Sequence, residues 1–375
     1  VLTRAAATAR AEGRPTLARL AHPADPVSLS GALRATHAAG DVAFGAVDLG
    51  TGAAVFARGP LPAWSAEPGT PAAARAAFAH AAARLVTEGD DPAAPLAVFA
   101  LPFQGGPRPD TSPWRGAPLG TLWVPAEVWS TPRTGADWTL TRHVTVRPDA
   151  AEGPLRAALA RPMAPPALRG FNRPAVGPEP TPLEAEAAWR GRVAAAVRAC
   201  DAGALAKVVL ARGVRYGAPE GERFDPAGTV EALLRREPGT TVFAIAAGEA
   251  GVFLGATPEL LAQVQGRRVS TQALAGTIGR DRDDRALDVQ AGQRLLASEK
   301  DGREHQAVVQ GVREALAPIC PLLGGDTQPR LRSLASVHHL ETRLEGRLRP
   351  GVDLLEVIER LHPTPALGGS PRAAA

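Results

Sequence analysis

The chain has 375 residues, a formal net charge of +4 and 45% hydrophobic residues; that length holds one large α/β domain or two smaller ones, with ample apolar content for a core. Its positive excess is scattered arginine with no Lys/Arg block, and aromatic residues make up 4%, which argues against a nucleic-acid partner. Cys200 and Cys320 are isolated thiols, neither a disulfide framework nor a zinc site, and they suit a reducing cytoplasm. Residues 1–11 carry arginines without an apolar h-region, so they do not read as a signal peptide, and no apolar run is long enough to span a membrane.

Residues 1–182 read as a variable scaffold, rich in Ala, Pro and Arg. Strands are expected at 41–48, 96–101, 121–124 and 143–146, with an Ala-rich helix at 71–85. The many prolines of 161–183 mark a connector or a segment wrapping the surface.

Residues 183–375 carry the chemistry. A helix is expected over 183–202, with Trp189, Val193 and Val197 on one stripe. The run 206–212, Ala-Lys-Val-Val-Leu-Ala-Arg, reads as a buried strand that opens on a lysine. Of the 42 Lys+Arg residues only Lys207 and Lys300 are lysine. Arginine stays protonated in a protein, whereas a buried lysine can lose its proton. Lys207 is therefore either a general base or a lysine snorkelling from a strand end.

A helix at 229–236 and strands at 241–247 and 251–256 follow. Pro258 then forces an extended residue and a turn before Glu259. Glu259 is either a carboxyl raised by burial, as a general acid requires, or a helix N-terminal Glu favoured by the dipole. A strand at 269–274 runs into Gly276 and Thr277, a corner whose N–H groups and hydroxyl could cradle a carboxylate or simply turn the chain. One helix is expected over 294–316. Asp301, Glu304 and His305 stand at i, i+3, i+4 and so share a face. They could serve Mg²⁺, which takes oxygen ligands, or form a solvated charge run. His338 and His339 enter a further strand, and 362–372 is a Pro- and Gly-rich loop.

Six segments in order, KVVLAR (207–212), FLGATPELL (253–261), ALAGT (273–277), KDGREH (300–305), HLET (339–342) and HPTPALGGSP (362–371), resemble the chorismate-utilising enzymes: isochorismate synthase, salicylate synthase and the large components of anthranilate and aminodeoxychorismate synthase. The resemblance implies an α/β fold, one large unit with two mainly antiparallel sheets packed face to face and helices outside. It makes 183–375 the chorismate-binding region. The amino-transferring relatives have a Gln-like residue where this chain has Lys207, and aminodeoxychorismate synthase has a nucleophilic lysine where it has Ala275. A base without an amine nucleophile points to activated water, and the wording of the motifs is most similar to isochorismate synthase, with salicylate synthase as the alternative.

That resemblance implies Lys207 as base, Glu259 as acid, Glu304 as a Mg²⁺ ligand, and Gly276, Thr277 and His339 at the substrate. Chorismate would be the partner, in a cytoplasmic monomer or weak oligomer supplying menaquinone or siderophore synthesis. The family also continues past the 362–372 loop, with an Arg-containing segment that grips the pyruvyl carboxylate and a Glu-rich helix completing the metal site. These are not among the 375 residues, so the expectation is a fragment, a frameshifted reading or a degenerate relative, poorly soluble and slow, or a chorismate-binding fragment without turnover.

Overall fold

The structure is a computed structural model. It describes residues 1–38, 42–65, 70–87, 97–100, 121–160, 180–218, 224–247, 251–372 and 374. The fold is mixed α/β, and the chain forms two compact units, Val1–Arg173 with Asp225–Thr257, and Pro174–Phe224 with Pro258–Ala375.

The first unit is built on an eight-stranded sheet. Its order is Val252–Thr257, Thr241–Ala247, Val42–Asp48, Ala54–Pro60, Pro125–Thr131, Trp138–Val146, Thr16–Ala24 and Leu85–Thr87. Every neighbouring pair is antiparallel except the last, which is parallel. Helices Leu29–Ala38 and Pro226–Arg236 bury Leu29, Leu33 and Val230 against Phe56, Trp129 and Val242. Period-two alternation explains why such strands were readable: Val242, Ala244 and Ala246 all point into this core. The expected strand at 143–146 is the end of the longer Trp138–Val146, and those at 121–124 and 96–101 are the short pair Leu122–Trp123 and Val98–Phe99. The Ala-rich helix runs Pro71–Ala83, with Thr70 as its N-cap. Residues 161–179 of the Pro-rich segment lie outside the described residues.

The second unit is built on a five-stranded sheet. Gln263–Gln265 pairs with Arg268–Gly279, which pairs with Val337–Arg347, and the latter also takes Leu322–Gly325 and Arg330–Ser333. The helix Glu299–Leu316 lies on this sheet. Val308 meets Ala273 and Ala275. Val312 and Leu316 join Val269, Leu344, Leu348 and the residues Val357 and Leu361 of helix Leu354–Leu361.

Three expectations are corrected here. The helix expected over 294–316 is two helices, Arg285–Ala297 and Glu299–Leu316, broken at Ser298, whose hydroxyl accepts from the Asp301 N–H at 3.2 Å. A serine able to cap competes with the backbone ladder and favours a helix start over continuation. The strand expected over 206–212 is only Lys207–Val208, since its partner, Gly369–Ser370, is equally short; Val209 beyond it is 39% exposed. The 183–202 helix is Glu186–Asp201 and buries none of its residues, so its Val193 and Val197 stripe is exposed.

Leu344 is fully buried at the centre of the second unit's core. Leu344→Ala is expected to cost about 2–5 kcal/mol, read as a lower denaturation midpoint in urea or on heating.

Candidate active site

Lys207 is positioned by the backbone of the 362–372 loop. Its two-residue strand pairs with Gly369–Ser370, and the pairing is extended by Ala206 N–H to the Ser370 carbonyl (2.8 Å) and Val209 N–H to the Gly368 carbonyl (2.7 Å). The side chain is nearly buried. Nζ donates to the Pro365 carbonyl at 2.6 Å and lies 3.7 Å from Glu304 Oε1. Burial pushes the amine below its ordinary value, and the charges of Glu304 and Glu259 only partly oppose that. The carbonyl takes one N–H of the side chain, which leaves a neutral amine its lone pair.

Glu259 belongs to the segment 258–261, held against strand Arg268–Gly279 at two points. Thr271 donates its hydroxyl to the Leu261 carbonyl (2.6 Å), and Gln272 donates its amide to the Pro258 carbonyl (2.8 Å). Burial pushes the Glu259 carboxyl above its ordinary value, against the positive charge of Lys207. Lys207 and Glu259 thus face each other's field, one made less basic and the other less acidic. Opposed environments of this kind mark acid/base pairs.

The three residues expected on one helical face are separated by what they touch. His305 is buried. Its Nε2 is 2.7 Å from Thr342 Oγ1 and its Nδ1 is 3.3 Å from the Ala275 carbonyl. The Ala275 carbonyl can only accept, so Nδ1–H donates to it; burial lowers the pKa of this imidazole, and in the neutral ring Nε2 accepts from the Thr342 hydroxyl. Asp301 is engaged by the Ser298 hydroxyl. Glu304 turns to Lys207. His305 and Asp301 are therefore not a ligand set with Glu304.

The Gly276 corner is a break in the register of the Arg268–Gly279 strand, between Ala275 and Thr277. Gly276 has φ +78°, and a Cβ there would meet Asp301 Cβ at 3.2 Å and Leu340 Cδ1 at 3.3 Å, so both backbone and space call for glycine. Thr277 and His339 are cross-strand neighbours, with Thr277 Oγ1 2.9 Å from His339 Nδ1, which is 3.4 Å from the Gly276 carbonyl. Burial lowers the His339 pKa, with the charges of Arg332 and His338 adding to it. The expected site residues thus form two groups, Lys207–Glu259–Glu304 and Gly276–Thr277–His339. The docking of Asp301 and His305 on the Gly276 bulge joins them.

Among the described residues, no group of three or more His, Cys, Asp or Glu side chains is arranged to hold a metal ion. Glu304, half-exposed, offers a single carboxylate. Mg²⁺ binds through one or two carboxylates and keeps its waters for substrate oxygens; Glu304 fits the first part of that set.

Gln272 and Arg332 were not expected at the site. Arg332 Nη1 donates to Gln272 Oε1 (3.2 Å) and to Glu341 Oε1 (2.8 Å), and Gln272 and Glu341 are both buried. The one signal available in the sequence was a glutamine directly before the apolar run Ala273–Ala275.

The family described as chorismate binding enzyme matches residues 4–375. The chain belongs to that family. Among its curated relatives, the salicylate biosynthesis isochorismate synthase of Pseudomonas aeruginosa is 41% identical over 187 residues, 50% of this chain and 38% of that protein. Isochorismate synthase EntC of Escherichia coli strain K12 is 40% identical over 152 residues, 40% of this chain and 39% of that protein. The chain spans less than two fifths of the length of these two relatives. In fold, this chorismate-binding enzyme is similar to MenF, the menaquinone-specific isochorismate synthase of Escherichia coli. The TM-score is 0.74 at 22% identity, over 99% of this chain and 81% of that one. Among the described residues no helix is long and apolar enough to cross a membrane.

The raised Glu259 pKa means the folded state holds that proton more tightly than the unfolded chain does, so stability falls as pH rises from 4.5 through the folded value. Lys207 acts oppositely: its amine binds a proton more weakly when folded, so stability rises with pH from the lowered folded value towards 10.5. Glu259→Gln should match the parent protein in thermal melts at acid pH and exceed it above neutrality. Equal melts throughout would contradict a raised carboxyl.

Proposed function

We propose that this chorismate-binding enzyme converts chorismate to isochorismate. The observation that carries the reading is Lys207, nearly buried with Nζ on the Pro365 carbonyl and beside Glu304, together with Glu259, a carboxyl that feels its charge and whose pKa burial moves in the opposite direction. Isochorismate formation needs both at once: a proton taken from water and a proton given to a departing hydroxyl.

Lys207, neutral and oriented by the Pro365 carbonyl, takes a proton from a water that adds at C2 of the ring. Glu259, protonated, gives its proton to the C4 hydroxyl, which leaves as water while the double bonds shift. One water enters and one leaves, so substrate and product are isomers. Gly276, Thr277 and His339 bind the substrate, the bulge through its N–H groups and the threonine through its hydroxyl; His339, kept neutral by burial, orients that hydroxyl. Glu304 is the residue that would hold Mg²⁺, and the ion would neutralise the ring carboxylate. Water is the nucleophile in this reading because the chain has Ala275, buried beside Val308, where an amine would be needed to form a covalent adduct. The product suits menaquinone or siderophore synthesis, and the two free thiols, Cys200 and Cys320, accord with a cytoplasmic protein.

The test is incubation of the purified protein with chorismate and Mg²⁺, with products resolved by chromatography. Isochorismate is expected, and Lys207→Ala and Glu259→Gln should each lower its formation by about 10²–10⁴-fold. Salicylate with pyruvate would instead assign a salicylate synthase. Chorismate binding without any product would leave a binding protein.

A further inference from the structure

Glu259 is no better placed than the four-residue segment that carries it. That segment has no regular pairing of its own at Pro258 and Glu259, since the next strand begins only at Gln263. The Pro258 carbonyl is instead held by the Gln272 side chain, at 2.8 Å. Gln272 is itself held: its Oε1 accepts from Arg332 Nη1 at 3.2 Å, and the same guanidinium is fixed by the buried Glu341 at 2.8 Å. Arg343 Nε stands 3.2 Å from the other Glu341 oxygen. The amide can sit only one way round. Flipped, it would set its NH₂ against a guanidinium and its oxygen against a carbonyl, two repulsive contacts where there are now two bonds.

We propose that Gln272, locked by Arg332 and Glu341, is the positioning residue for Glu259, fixing the Pro258 carbonyl and so the aim of the carboxyl that follows it. The inference rests on the reading of Glu259 as the proton donor. The four side chains come from three strands, Arg268–Gly279, Arg330–Ser333 and Val337–Arg347, so the aim of the acid is tied to the sheet's own register. Arg332 also pairs in register with His339, which places the anchor of the acid segment next to the residue proposed to orient the substrate's hydroxyl partner. A polar chain whose inner members, Gln272 and Glu341, are buried and bonded favours one arrangement.

Two variants test it. Gln272→Met keeps length and volume and removes both bonds. Gln272→Glu keeps the Arg332 contact and sets an oxygen against the Pro258 carbonyl. Amide hydrogen exchange of both should accelerate over residues 259–262 by about 10-fold or more, with the Glu299–Leu316 helix unchanged. In the isochorismate assay, Gln272→Met should lose about 100-fold in kcat, the order that a small misplacement of a reacting group costs. Its pH profile should also change: the limb set by loss of the Glu259 proton moves to lower pH as water reaches the carboxyl, whereas a mere loss of folded protein would scale the profile without moving it. Lys207 is the charge facing Glu259, and it is unaltered in Gln272→Met. Unchanged exchange over 259–262 overturns the proposal, as does faster exchange with kcat within about 2-fold of the parent. Parent-like turnover by Glu259→Gln would instead overturn the reading of Glu259 as the acid, and the exchange data would still decide whether Gln272 holds the segment.

Discussion

A neutral imidazole buried between a helix and a sheet is the constraint on which the site depends. His305 donates to the Ala275 carbonyl and accepts from the Thr342 hydroxyl, so it needs one proton and one lone pair, in fixed directions. Ala275 is the last residue before the bulge, and its carbonyl accepts from this imidazole. A buried carbonyl left unpaired is costly, so the contact ties the helix to the sheet at the register break. The same contact sets the rotation of helix Glu299–Leu316. With His305 turned into the sheet, Glu304 is turned out towards Lys207, and Asp301 comes down on Gly276, where a Cβ would be crowded at 3.2 Å.

The electrostatics follow from this packing. Lys207 and Glu259 are each moved by burial in the direction that favours the neutral form, and each is pulled back by the other's charge. Ionising both would give an attractive pair but expose two charges to a dry environment; keeping both neutral avoids the desolvation cost. Glu304 is more exposed than Lys207. A helix, a loop backbone and the segment 258–261 held by Thr271 and Gln272 thus bring three titratable groups to one candidate site.

Much of this was legible because the residues are unusual where they stand. A lysine in a chain that otherwise writes arginine, a glutamate behind Pro258, and Gly276 followed by Thr277 are departures from local expectation, and each lies at the site. Strands such as Thr241–Ala247 were legible because alternation survives along their whole length. Ala54–Pro60 and Pro125–Thr131 were not, because their inward or pairing positions include charged residues: Arg58 and Arg142 both bond Glu127 within the sheet, and a paired internal ion triad looks like solvent-facing charge in one dimension. The break at Ser298 was hidden because it opens a polar run, residues 298–306, with no apolar periodicity to mark where one helix ends and the next begins. Gln272 was hidden for a different reason. Its meaning lies in Pro258 and Arg332, at separations of 14 and 60 residues, and nothing local to the strand announces either.

Lys207 acquires its environment from residues far along the chain. The carbonyl that it bonds belongs to Pro365, 158 residues later, and its short strand has no partner but Gly369–Ser370 among the described residues. On a ribosome adding roughly 5–20 residues per second, the lysine therefore waits several seconds or more as an exposed, ordinary amine before its acceptor exists. Closing a loop of that size is also among the contacts of highest order in the second unit, and contacts of that kind form late. The side chain proposed to begin the chemistry is thus among the last to be made ready, and a nascent or partly folded chain carries its lysine fully protonated.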